Sequence, residues 1–338
     1  MMLPLPWHQG EFDALASAKD RLAHALLIHG PRGIGKLDFA RALAQALLCE
    51  TPTESNAACG GCTACAWFEA GAHPDYRQIE PAAESEDDED EEGGKPAKAA
   101  KKKSVFITVA QIRALPELIN ITSHRGGPKV IVLHPAEALN VNAANALLKS
   151  LEEPPPGTHF VLVSHRPHQL LPTIKSRCRQ VALRAPDRDS AARWLASRGV
   201  RDGSLALAHT GDAPLLALEL NDSDYWGARK AFLRQITARE VDVLDAAEAV
   251  RDLPVPHIVS WLQKWCCDIA FYGTLGRVRY NPDEREAIAR VADRVDPLEA
   301  LRLYRRMTEY QRIAQHPLNA KLFIEHLLLA YRNLVQPQ

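Results

Sequence analysis

The stretch His24-Ala25-Leu26-Leu27-Ile28-His29-Gly30-Pro31-Arg32-Gly33-Ile34-Gly35-Lys36-Leu37 decides how the first half of the chain is read. Four apolar residues in a row between two histidines suit a short strand buried on both faces. A glycine-rich turn follows, and after it Phe39, Ala42, Leu43, Ala46 and Leu47 recur at helical spacing. Strand, glycine turn and helix is the context in which Gly-x-x-x-x-Gly-Lys becomes a phosphate loop. In that arrangement Gly30, Gly33 and Gly35 let backbone N–H groups form an anion nest, and Lys36 reaches the outer phosphates. The next residue should carry a hydroxyl for Mg²⁺, and here it is Leu37.

Working outward, Val130-Ile131-Val132-Leu133 and His159-Phe160-Val161-Leu162-Val163-Ser164 read as two further buried strands. Between them a strong helix pattern runs from Asn142 to Glu153 and stops at Pro154-Pro155-Pro156. Alternating strands and helices imply a parallel sheet covered by helices. After Pro186 the pattern turns all helical, with short helices at 191–197 and 205–209 and longer ones from Asp224 onward.

An acting phosphate-loop ATPase places an acidic pair at the end of the second of these strands, one carboxylate for Mg²⁺ and one to activate water. This chain has His134-Pro135 there. Imidazole is a poor ligand for a cation that prefers hard oxygen, and proline offers no base. Glu137 follows three residues later, where a carboxylate in the first turn of a helix suits the dipole without any catalytic role. Turnover is therefore not expected; the loop either holds ATP or ADP without hydrolysis or serves only to shape the fold.

Cys59-x-x-Cys62-x-x-Cys65, preceded by Cys49, is a second candidate site. Four thiols within 17 residues of a chain with no disulfide-type context suit a closed tetrahedral Zn²⁺ site of structural kind. An iron–sulfur cluster is the rival, because Cys-x₂-Cys-x₂-Cys opens the ferredoxin run; its fourth cysteine would fall at Glu69. A redox role for the cysteines is the remaining reading. Cys266-Cys267 sit in the apolar pattern Trp261, Leu262, Trp265, Ile269 and read as packing residues.

The 338 residues include 41 Lys plus Arg and 42 Asp plus Glu, a net charge of −1, which argues against an autonomous nucleic-acid binder. No apolar run approaches the ~18 residues of a membrane span, and residues 1–12 lack the pattern of a secretory signal, so a cytoplasmic chain with no membrane partner is expected. Residues 82–104 join an acidic block to a lysine-rich arm with little apolar content, and read as a disordered, solvated insertion.

The combined motifs resemble one family, the delta-prime subunit of the bacterial DNA polymerase III clamp loader. They are His24-Ala25-Leu26-Leu27 leading into the glycine loop, the four cysteines, His73-Pro74-Asp75-Tyr76, Asn145-Ala146-Leu147-Leu148-Lys149 with Leu151-Glu152-Glu153-Pro154-Pro155, Ser176-Arg177-Cys178, and Asn319 to Leu329. The resemblance implies an AAA+ architecture: an α/β nucleotide-binding-type domain (1–168, with the zinc module at 49–65), a small helical lid (169–211) and a helical collar for oligomerisation (212–338). It implies Zn²⁺ on Cys49, Cys59, Cys62 and Cys65, and Arg177 as an arginine finger acting in trans on the ATP of a neighbouring gamma/tau subunit. The family's second sensor arginine would fall near Pro214 and is absent. The partners implied are the gamma/tau and delta subunits and, through the assembled complex, the sliding clamp and primer-template DNA. The rival readings are an active gamma/tau-like ATPase in which Glu137 rescues hydrolysis, and a zinc-containing DNA-binding adaptor.

Overall fold

In the computed structural model, residues 2–82, 104–120, 126–238, 240–314 and 319–336 are described. The charged segment expected at 82–104 lies, from 83 to 103, outside them. The chain divides into two compact units, Met1–Pro186 and Asp187–Gln338.

The first unit is built on five parallel strands: β1 (Ala25–His29), β2 (Tyr76–Ile79), β3 (Lys129–Leu133), β4 (Thr158–Ser164) and β5 (Arg179–Ala182). Their order across the sheet is β2-β3-β4-β1-β5. Register is set by pairs such as Leu27 with Leu162 and Val132 with Val161. Because alternate side chains point to opposite faces, each central strand feeds two cores. Leu26, Ile28, Val130, Val132, Val161 and Val163 pack against Phe39, Leu43 and Leu47 of the Lys36–Leu48 helix. Leu27, Ile131, Leu133, Phe160 and Leu162 pack on the other face against Leu147 and Leu151 of the Val141–Glu152 helix. Burial on both faces explains why these strands are uninterrupted apolar runs.

The two edge strands carry no such signature. In β5, Arg179, Gln180 and Ala182 are exposed, yet its backbone pairs with β1 from Leu26 to His29. The sheet therefore continues past the 168/169 boundary drawn from sequence, and the first unit closes at Pro186.

The second unit is helical throughout its described residues. The helices Arg188–Ser197, Gly203–Thr210 and Pro214–Glu219 share a small core of Ala191, Leu195, Leu207 and Ala217. The 211/212 boundary drawn from sequence falls between the second and third of these. A larger core gathers Phe232, Trp261, Trp265, Met307, Leu327 and Tyr331. Trp265 donates its indole N–H to the Tyr331 hydroxyl at 2.9 Å, so two bulky side chains are buried with their polar atoms satisfied. Cys266 is fully buried in this core, as its apolar neighbours imply. No helix among the described residues is long and apolar enough to cross a membrane.

Candidate phosphate loop, cysteine cluster and interface arginine

The loop after β1 has the backbone that its glycines allow. Gly33 and Gly35 have φ of +75° and +91°, the left-handed region that L side chains rarely adopt. A side chain on Gly30 would run into the Leu183 carbonyl beside β5, and one on Gly35 into Leu5. The Lys36–Leu48 helix begins at the loop's end. Lys36 is only 2% exposed, and its ammonium donates to the Pro31 carbonyl. Burial lowers its pKa to about 8, against the opposing pull of Glu137. Leu37 packs into the sheet core rather than facing the loop as a ligand.

The amino-terminal segment closes on this loop. Trp7 donates its indole N–H to the Ile34 carbonyl at 3.0 Å, and the His8 Nε2 donates to the same oxygen at 2.9 Å. Contacts spanning 26 and 27 residues leave no local pattern in the sequence.

At the C-terminal ends of β2, β3 and β4 the polar side chains are engaged with one another. His134 Nδ1 lies 3.1 Å from Glu80 Oε1, and its Nε2 lies 3.3 Å from the Nε2 of His165. The Glu137 carboxylate accepts the His165 backbone N–H at 3.0 and 3.3 Å. Glu137 stands in a separate 3₁₀ turn, Ala136–Ala138, rather than in the first turn of the next helix. The His165 pKa falls to about 3, first through burial and then through Lys36 and His134, so this imidazole is neutral near pH 7. His165 escaped the sequence reading. Its position at the C-terminal end of the strand next to β1 is the signal that could have found it, since ligands of open α/β sheets bind there. These residues fit a phosphate group through the glycine nest and Lys36. They do not supply the usual Mg²⁺ ligands, because the side chains at positions 37 and 134 offer no oxygen and the strand-end carboxylates Glu80 and Glu137 already hold His134 and the His165 N–H.

The four cysteines converge. Cys49 ends the Lys36–Leu48 helix, Cys59 and Gly60 (φ +73°) form a turn, and Cys62 caps the Thr63–Glu69 helix that carries Cys65. All four Sγ atoms lie within 4.8 Å of one another, with Cys49–Cys62 at 3.9 Å and Cys59–Cys65 at 4.0 Å. A tetrahedron with Zn–S bonds of 2.3 Å has edges of about 3.8 Å, close to both distances. Backbone N–H groups point at the sulfurs: Cys59 N–H at Cys49, Gly61 and Cys62 N–H at Cys59, and Cys65 N–H at Cys62. The Thr51 hydroxyl also donates to Cys59, and together these donors hold its pKa down to about 6. Burial pushes Cys65 up to about 12. The donor set thus fits Zn²⁺, with two inner thiols that need a cation to ionise and an outer one already inclined to.

Arg177 lies in the turn between the Pro172–Lys175 helix and β5. Ile174 and Cys178, both buried, pin that turn to the core. The side chain is one-third exposed; it forms an ion pair with Glu152 and donates Nη1–H to the Thr173 carbonyl at 2.9 Å. Pro214 opens its own helix, buried at the first position.

Sheet and loop together define a phosphate-loop-type α/β protein whose positions 37 and 134 carry Leu and His in place of the usual magnesium-binding side chains, followed by a helical region. Comparison with known sequences narrows this further. The family model for "DNA polymerase III, delta subunit" matches residues 12–187, and that for its C-terminal part matches residues 223–333. The DNA polymerase III subunit delta′ of Pseudomonas aeruginosa is 34% identical, with 98% of each chain covered. That of Escherichia coli K12 is 32% identical, over 98% of this chain and 96% of the relative. The chain belongs to the DNA polymerase III delta-prime family. Among solved structures, a gamma subunit-related protein of Thermotoga maritima is similar at 18% identity and a TM-score of 0.43, covering 96% of this chain and 99% of that one.

Proposed function

We propose that this chain is the non-hydrolysing delta-prime member of a clamp loader, serving the ATP site of a neighbouring subunit rather than one of its own. The observation that carries the reading is the state of the loop: the phosphate nest persists, while the two carboxylates at the strand ends, Glu80 and Glu137, are engaged by the His134 side chain and the His165 backbone. ATP or ADP can bind such a loop, but its hydrolysis has no metal ligand or free base to work with. Glu137, the residue on which the ATPase alternative depended, is the clearest case, since both its oxygens face the His165 N–H.

Arg177 is the group offered outward. Its guanidinium stabilises the charge that develops on the γ-phosphate held by an adjacent gamma/tau subunit, and so couples ATP next door to this chain. Cys49, Cys59, Cys62 and Cys65 hold one structural Zn²⁺. The three short helices Arg188–Ser197, Gly203–Thr210 and Pro214–Glu219, which share one core, act as the lid, and the helices beyond them pack into a collar with the gamma/tau and delta subunits. In the cytoplasm the assembled complex loads the sliding clamp onto primed DNA.

The test is R177A in a loader reconstituted with all its subunits. Removing an arginine finger costs ~10³–10⁵ in rate at the site it serves. If the ATP sites of the loader act together, DNA-stimulated ATP turnover and clamp loading fall by about tenfold or more. Unchanged loading by R177A would end the finger assignment.

A further inference from the structure

Glu152 occupies a place that the physics of helices disfavours. It is the last residue of the Val141–Glu152 helix and Glu153 follows it directly. The carbonyl ends there carry partial negative charge, so an anion in the last turn costs stability. A residue that breaks a local rule without a packing gain points to a role elsewhere. Nor is the ion pair with Arg177 a fold-stabilising device. The two side chains are 33% and 48% exposed, and pairs so open to solvent contribute little. Glu153 is exposed as well but has no ion pair among the described residues.

The contact does fix the direction of a long, flexible side chain. One guanidinium nitrogen, Nη2, is held by the Glu152 carboxylate, and the other, Nη1, by the Thr173 carbonyl. Two anchors on a planar group set its plane. Nε–H and one hydrogen on each Nη remain for a third partner. Both anchors sit on ordered elements: Leu151, beside Glu152, is buried in the core, and so is Ile174, beside Thr173.

We propose that Glu152 is the positioning residue of Arg177, holding its guanidinium in the orientation from which it meets the phosphate of a neighbouring subunit. This rests on the reading of Arg177 as a trans-acting arginine. The arrangement biases the arginine's plane before docking, so part of the entropy of ordering its side chain is already lost when the subunits meet. Lys175 and Arg179, the cations flanking Arg177, make no contact of this kind with Glu152.

The experiment is a double-mutant cycle in the reconstituted loader, reading DNA-stimulated ATP turnover. E152A is expected to lower kcat by about threefold to tenfold with KM for ATP little changed, because misplacing a group that acts in the transition state affects kcat. E152Q retains an oxygen acceptor and recovers most of the rate, and E153Q matches the wild type. In the R177A background, E152A has no additional effect, as expected when one residue acts only through the other. Wild-type turnover by E152A alongside a damaged R177A would overturn this proposal and leave the finger standing. Additive losses in the double variant would also overturn it, by showing that Glu152 acts independently of Arg177. Full activity of R177A would remove both readings together.

Discussion

The phosphate loop and the cysteine cluster sit at opposite ends of one helix, Lys36–Leu48, and both look like ion sites in the sequence. Their side chains have had opposite fates. Around the loop, the groups at the strand ends and the loop lysine have partners within the chain: Lys36 on Pro31, His134 on Glu80, Glu137 on the His165 N–H. Around the cluster, four sulfurs face one another, and the hydrogen bonds reaching them come from donors that favour thiolate. A polar site is retired when its side chains satisfy one another. It stays open to an ion when they converge with the same sign of charge and lack a counter-charge of their own.

The sharpest way to break this contrast is at the cysteines. Metal analysis of the purified chain is expected to give one zinc per molecule. Cys62→Ser should lose most of it, because Cys62 is both one of the four proposed ligands and the cap of the Thr63–Glu69 helix. Chelation should speed amide exchange across residues 49–69 and leave the strands of the sheet protected, since metal binding there is coupled to local folding. Iron in the preparation, or a Cys62→Ser variant with full zinc, would show that these four sulfurs do not form the expected tetrahedral site.

The comparison also explains what could be read from sequence. The glycine loop and the cysteine spacing are local, so their residues announce themselves within about 20 positions. The central strands β1, β3 and β4 were legible because burial on both faces demands unbroken apolar runs. Tyr76-Arg77-Gln78-Ile79 and Arg179-Gln180-Val181-Ala182 were not, because an edge strand is held by backbone pairing and tolerates exposed polar side chains. The contacts that qualify the site are long-range: Trp7 and His8 on Ile34, Glu137 on His165, Glu152 on Arg177. None follows from spacing.

A smaller effect is expected from pH. His165 has a folded-state pKa near 3, whereas an unfolded histidine titrates near 6.5. Its contribution to stability is therefore fully present above about pH 6.5 and lost as the pH falls towards 3, because the unfolded chain takes up the proton that the folded chain refuses. His209, pushed down to about 2 chiefly by burial, acts in the same direction. His165→Asn should flatten the fall in melting temperature between pH 6.5 and 4 without abolishing it. Parallel curves for the variant and the parent would mean that the loop-side histidine is not held neutral by its surroundings.

The smallest effect concerns the amino-terminal segment over the loop. Trp7→Phe keeps an aromatic ring, though a smaller one, and removes the indole N–H bonded to the Ile34 carbonyl. A lost hydrogen bond of this kind costs about 0.5–1.5 kcal/mol. Here the low end is expected, because the His8 ring still donates to the same oxygen and leaves no orphaned acceptor. For a chain of this size that corresponds to a fall of roughly 1 °C in melting temperature. The more telling readout is local. If the segment holds the loop in its closed form, amide exchange at Ile34, Gly35 and Lys36 should quicken in the variant while exchange at the cysteine turn stays as it was. Equal exchange in both proteins would mean that the glycine loop keeps its shape through the Lys36–Pro31 contact and the packing of Gly30 against Leu183 alone.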